Sequence, residues 1–386
     1  MAMTMIRRPT TLFSIKPKLL FPITPPFKNK TILLFSSPFL AAAFFCSLPK
    51  TSPFSPFLFP KSRPFLAEQR KSFSTAAAAM SKASSEQIAK DYKMPELRNP
   101  RHIVRKVVAK QMKEGDGATV RRSIGGSELR NFDPFLLLDD FAVSHPAGFP
   151  DHPHRGFETV TYMLEGYFTH EDFTGHKGTI RAGDIQWMTA GRGIVHSELP
   201  AREGVQKGLQ LWVNLSSKNK MVEPQWQEIQ SKDIVRVSKD GIDVRIIAGE
   251  AFGVSSPVYT RTPTMYLHFV MNPGAELRQR IPEDWNSFAY IMDGEGVFVD
   301  EASAPISKYH CLVLSKGDGL RVWNKSGRQL HFVLLSGEPL NEPVVQYGPF
   351  VMNTQREIQQ AFEDYRRGKN GFENANEWSA RAERLG

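Results

Sequence analysis

From about residue 102 onward the chain alternates short apolar runs with clusters of Gly, Pro, Asn and Asp. The runs include Phe135–Leu138, Val160–Leu164, Leu209–Leu215, Val244–Ile247, Tyr266–Val270, Phe288–Met292 and His331–Leu335. Short runs bounded by turn formers predict strands of an all-β sandwich or barrel. One helix is signalled near the end. Thr354 and Glu357 have the spacing of a capping box, Ile358, Ala361, Phe362 and Tyr365 share one face, and Gly368 supplies the stop.

The strand pattern repeats once. Tyr162-Met163-Leu164-Glu165-Gly166 is matched by Tyr290-Ile291-Met292-Asp293-Gly294, and Gly183-Asp184 is paired with Gly317-Asp318. Two copies of one β-barrel unit would produce this pattern. The expected organisation is a leader over 1–79, a polar linker over 80–101, one barrel over 102–240, a second over 241–352, and a helix with tail over 353–386.

The leader is set apart by composition. Residues 1–67 hold nine of the 49 basic residues, eleven of the 27 Phe, eleven of the 27 Pro, and no Asp or Glu. A basic, hydroxyl-rich, acid-free segment is the composition of an organellar transit peptide, mitochondrial or plastid. Arg70-Lys71-Ser72-Phe73-Ser74-Thr75 resembles a mitochondrial processing site. Initiation at Met80 would instead give a nuclear or cytosolic protein. The formal charge of +9 belongs to residues 1–67 alone, because the chain beyond them carries 40 basic against 40 acidic residues. No field for gripping phosphates remains, so direct nucleic-acid binding is not expected. Cys46 and Cys311 are the two cysteines, one in the leader and one in the body, which excludes a disulfide within the body. No apolar run is long enough for a membrane-spanning helix, and the expected state is a monomer.

The candidate chemistry lies in two triplets, His152-Pro153-His154 and His196-Ser197-Glu198. Residues i and i+2 of a strand point to the same face. Two such strands side by side would converge three imidazoles and one carboxylate on a point. That set leaves an octahedral divalent ion two open positions and suits iron(II), with copper, nickel or manganese as alternatives. Singly, an H-x-H pair or one Glu is a common surface feature. The flanking Gly148 and Gly156, and Gly183, Gly191 and Gly193, strengthen the pair by allowing tight turns at a barrel mouth. Asp139, Asp140, Glu158, His170, Glu171, Asp172 and His176 are nearby, and are read as turn, cap or outer residues, with a carboxylate orienting an imidazole as the sharper role.

Phe149 to Val160 and Gly183 to Glu198 resemble the two metal motifs of the pirin family. Leu209 to Leu215, Tyr259 to Thr264 and Gly348 to Thr354 are similar as well, so that the resemblance runs from about residue 103 to the end. It implies two cupin barrels and one iron(II) held by His152, His154, His196 and Glu198. It also implies dioxygen cleavage of a flavonol such as quercetin, with Glu198 leaving the metal transiently as general base. The alternative it carries is a non-catalytic, iron-dependent redox sensor that acts on protein partners as a transcription cofactor. Aligning the repeats on Tyr162 and Tyr290 places Arg280, Pro282 and Asn286 opposite His152, His154 and Glu158, so no metal is expected in the second barrel.

Overall fold

The computed structural model describes residues 82–379, and the expected leader over 1–79 lies outside them. The first half of the body builds a seven-stranded antiparallel sheet. Its strands, in spatial order, are Gln225–Ile229, Ile185–Thr189, Phe157–Glu165, Val205–Asn214, Phe135–Ser144, Ala118–Ile124 and Lys110–Glu114. A four-stranded sheet of Phe149–His154, Ile194–Pro200, Tyr167–Asp172 and Lys177–Arg181 faces it. Val120, Phe141, Phe168 and Ile180 fill the space between the two.

The second half repeats this plan. Its large sheet runs Ile103–Val108, His310–Leu314, Asn286–Asp293, Leu330–Gly337, Thr264–Met271, Ile242–Ala248 and Val235–Lys239. Glu276–Arg280, Gly319–Trp323, Glu295–Phe298 and Ile306–Ser307 form the smaller sheet. Among the described strands neither half closes into a continuous hydrogen-bonded barrel. Each is a pair of facing sheets. The two large sheets pack back to back through a shared core that includes Tyr162, Trp187, Leu211, Tyr266, Phe288 and Leu335. Tyr290 donates to Asp140 across this interface at 2.8 Å.

Two expectations about boundaries are corrected. Strand Ile103–Val108, assigned by sequence order to the first half, pairs with His310–Leu314 of the second. Val235–Lys239 likewise joins the second half through Ile242–Ala248. The expected linker over 80–101 contains a helix, Lys82–Asp91, whose Ala89 packs into the second core. Leu97 is buried as well. Arg101 is fully buried and donates to the carbonyls of Pro282, Trp285 and Ser315 at 2.6–2.8 Å. Burial pulls this guanidinium down to about 10, and the carbonyls offset part of the cost of enclosing it, so this segment seals the second half instead of spacing it.

The C-terminal segment crosses the other way. Helix Gln355–Arg367 starts at Thr354, whose hydroxyl accepts from the Glu357 amide at 3.2 Å, and ends at Gly368 in the left-handed conformation. Ile358 and Ala361 are buried beside Phe350 and Phe372, while Phe362 stays exposed and edges against Phe350 and Tyr347. This unit covers the strand that carries His152 and His154.

Candidate metal centre

Strand Phe149–His154 contains Pro150 and Pro153, which cannot donate to a ladder, and it lies at the edge of its sheet. It pairs antiparallel with Ile194–Pro200, and His152 stands directly opposite His196. The register slips between His196 and Glu198, a bulge of the kind that re-aims side chains beside functional sites. The three imidazole rings converge, with centroids 4.7 Å apart for His152–His154, 4.4 Å for His152–His196 and 5.1 Å for His154–His196. One nitrogen from each lies within 4.8 Å of the others.

Glu198 is brought to the same cavity wall but does not join that close cluster. Its Oε1 accepts from the Thr161 hydroxyl at 2.9 Å, and its Oε2 from the Gln210 amide at 3.2 Å. The Thr161 oxygen also lies 2.8 Å from Gln210 Oε1. Thr161 and Gln210 face each other on adjacent strands of the large sheet, so the sheet floor supplies both partners. Neither residue stands out in the sequence, because each reads as an ordinary alternating strand position.

The donor set fits a transition-metal ion. His152 Nδ1 is 2.8 Å from the Pro150 carbonyl, which leaves Nε2 free to bind. Buried His154 Nδ1 and His196 Nε2 have no hydrogen-bond partner. Burial, and then the neighbouring His152 imidazole, holds both rings well below the ordinary histidine range. Neutral imidazoles with orphaned nitrogens aimed at one point are ligands in waiting.

Two glycines admit the C-terminal segment. A Cβ on Gly156, at φ +89°, would come within 2.0 Å of the Val351 carbonyl oxygen. One on Gly193, at φ +150°, would reach the Phe372 ring at 2.8 Å. Their role is close backbone approach, a more specific reason than the expected tight turns.

The neighbouring polar residues have other work. Asp139 takes two hydrogen bonds from Arg122, at 2.9 and 2.7 Å. Glu158 is buried and accepts from Trp187 at 3.0 Å and Thr189 at 2.7 Å. Asp172 caps its own turn through Thr174, and Glu171 pairs with Lys177 at 3.0 Å. Asp140 accepts from Tyr290 across the interface. None of these contacts is to an imidazole of the cluster; His152 is held by the Pro150 carbonyl instead. His170 and His176 gather at Glu228, a residue that sequence reasoning passed over.

In the second half, Glu276–Arg280 pairs with Gly319–Trp323 as Phe149–His154 pairs with Ile194–Pro200 in the first. Gly193 and Gly317 share φ 150° and precede the corresponding strands. Counting from them, Leu320 and Val322 stand where His196 and Glu198 stand, and Gln279 faces Leu320. This shifts the expected alignment of Arg280 and Pro282 by one residue, to Gln279 and Ile281. It also pairs Gly317-Asp318 with the Gly193 turn instead of with Gly183-Asp184. Leu320, Val322 and Ile281 are core side chains without a donor atom.

A cavity of about 690 Å³ opens beside the centre, lined in part by His152, His154, Glu198, Phe149, Phe168 and Trp212. Family models settle the relationship: the pirin model matches residues 117–213 and the pirin C-terminal cupin model residues 266–371. The chain belongs to the pirin family. Its pirin relatives include the Pirin-like protein of Solanum lycopersicum, 65% identical over 279 residues, covering 72% of this chain and 96% of that protein. Human Pirin is 56% identical over 278 residues, covering 71% and 96%. Among solved structures, a quercetin 2,3-dioxygenase from Acinetobacter baumannii superposes with a TM-score of 0.66 at 33% identity, over 71% of this chain and 99% of that one. The two halves of this pirin are thus cupin domains, and its histidine clusters can hold a metal.

Proposed function

We propose that this pirin is an iron(II)-dependent flavonol dioxygenase, with His152, His154, His196 and Glu198 as the iron-holding residues. The observation that carries the reading is the cavity, which brings His152 and His154 of the histidine cluster, a hydrogen-bonded carboxylate and aromatic side chains to one wall-lined opening. The likeness to the Acinetobacter baumannii quercetin dioxygenase supports it. Iron would supply Lewis acidity and reactivity toward dioxygen. Everything else is the work of the chain.

Phe149 and Trp212, both partly exposed, offer apolar ring surface for a planar polyphenol. At the other side of the cavity Arg122 is neutralised by Asp139 and Glu114, at 2.7 and 2.6 Å. With Asp116 and Asp151 also in the wall, the lining presents carboxylate acceptors to phenolic hydroxyls and disfavours anions.

Glu198 is the base for the flavonol 3-hydroxyl. Ionised, it accepts from both Thr161 and Gln210. Once protonated, it can donate to the Thr161 oxygen while that hydroxyl turns to Gln210 Oε1, 2.8 Å away. The network is satisfied in either state, which is what a general base requires of its surroundings.

A second reading, an iron-dependent regulator of protein partners, is favoured by one observation. Gln346 and Gly348 line the cavity, and the intervening Tyr347 is 65% exposed, so a change at the centre has a route to the surface. Oxygen uptake with a flavonol panel, with metal content assayed on the same sample, separates the two. The enzyme reading expects uptake by iron-loaded protein that is lost in His196→Ala. Full iron loading without uptake on any flavonol would leave the regulator reading in its place.

A further inference from the structure

We propose that His170, His176 and Glu228 form a second metal site, suited to zinc, separate from the centre in the cavity. Three segments supply it. His170 comes from strand Tyr167–Asp172, His176 from the turn that follows, and Glu228 from edge strand Gln225–Ile229 of the other sheet. One ligand atom from each lies within 4.8 Å of the others, and none of the three lines the cavity.

The contacts are poorly explained by hydrogen bonding alone. His170 Nε2 lies 2.9 Å from Glu228 Oε1, and His176 Nε2 lies 2.8 Å from the same oxygen. Gln186 approaches it too, at 3.4 Å. Yet His170 is only 3% exposed, and although its Nε2 lies in ion-pair range of Glu228 it makes no well-directed hydrogen bond there. A cation between the two nitrogens and the carboxylate would satisfy all three groups at once.

The site is also held open and held rigid. Gly178 stands opposite His170 on the neighbouring strand. A Cβ there would come within 2.6 Å of His170 Nε2 and 3.2 Å of Glu228 Oε1. Gly178 is not in the left-handed region, so space in front of the nitrogen is the reason that a glycine suits the position. The His170 and His176 rings stack at 5.4 Å and 27°, and Trp226 stacks on His176 at 4.7 Å and 25°. Two imidazoles and one carboxylate, with a fourth position open to water, are a zinc donor set. The Glu228 side chain is 37% exposed and gives an ion its entry. Bound there, zinc would tie the edge of the large sheet to the small one. The sequence predicts a single ion per chain, so the proposal adds one.

The test is a zinc titration of metal-free full-length protein, with cobalt(II) absorption as a check on coordination. Two equivalents should bind to the wild type, one to His176→Asn, one to Glu228→Gln and one to His196→Ala. Cobalt in His196→Ala should give the intense visible bands of a four-coordinate ion, absent when His176→Asn is added. Saturation of the wild type at a single equivalent that only His196→Ala removes would overturn the proposal. So would two equivalents retained by both His176→Asn and Glu228→Gln. The readout is independent of flavonol turnover, so failure here and failure of the dioxygenase reading are distinct results.

Discussion

Arg155 donates to Asp364 at 2.9 Å, with both side chains sealed from solvent, and so fastens the C-terminal helix to the residue that follows His154. The same guanidinium reaches the Arg192 carbonyl at 2.6 Å and the Asn370 carbonyl at 2.7 Å, and lies over the Phe372 ring. One side chain therefore ties together the strand of His154, the turn before His196 and the C-terminal segment. Removing one partner strands the other charge where water cannot reach it. Asp364→Ala is expected to cost about 3–5 kcal/mol in denaturant unfolding. A loss below about 1 kcal/mol would mean that the pair is not buried in solution.

Thr161→Val tests the proton-handling role of the Glu198 network. The substitution keeps the shape of the side chain and removes the hydroxyl that bridges Glu198 and Gln210. With iron content unchanged, kcat for flavonol should fall about 10–100-fold, less than the roughly 100–10,000-fold worth of the whole proton transfer because Glu198 itself remains. The acid limb of the pH–rate profile should shift too, and rescue is expected from Thr161→Ser. An unaltered profile would confine Thr161 to packing.

The interface between the cupin domains sets a pH limit. Tyr162 bridges to His268 Nδ1 at 2.8 Å and accepts from Arg245 at 2.9 Å, while His331 stands 6.1 Å from His268, ring to ring. Burial, with Arg245 and then His331 beside it, lowers His268 to about 3. A histidine with a depressed folded value binds its proton more readily when unfolded. Its contribution is therefore intact above about pH 6.5 and is lost as pH falls toward the folded value. Unfolding free energy should fall between pH 6.5 and 3, by up to about 1.4 kcal/mol per unit from this group. His268→Gln should flatten that slope. An equal slope in the variant would refute the assignment.

The strands, the capped helix and the residues that converge as the histidine cluster, His152, His154 and His196, are legible because each is written in local spacing. Thr354 and Glu357 close the cap as their separation demands. What the sequence hides is non-local. Nothing in Ile103–Val108 names His310–Leu314 as its partner, because edge pairing depends on where the chain returns. Lys82–Asp91 is polar apart from a few small or apolar positions. Among its described side chains Ala89 is the buried one, and Lys239 donates to the Ala89 and Lys90 carbonyls at 2.9 Å. The repeat alignment slipped by one residue because strand registers and bulges do not appear in residue identity. Thr161, Gln210 and Glu228 escaped notice for the same reason. Their roles come from what faces them, not from what precedes them.

The leader is a separate proposal, resting on composition. A fluorescent protein fused behind residues 1–79 is expected in mitochondria or plastids, and a chain starting at Met80 should bind iron as fully as the whole. Diffuse cytosolic and nuclear fluorescence of the fusion would contradict the targeting role.

The most direct test of the dioxygenase account is a gas measurement. Iron-loaded protein, quercetin and dioxygen in a sealed vessel should yield one carbon monoxide for each quercetin and each dioxygen consumed. The ring-opened ester would retain both atoms of dioxygen and all the carbon except C3, which leaves as carbon monoxide with its own hydroxyl oxygen. His196→Ala should release none. Quercetin loss without carbon monoxide, or equal release by wild type and His196→Ala, would contradict the central claim.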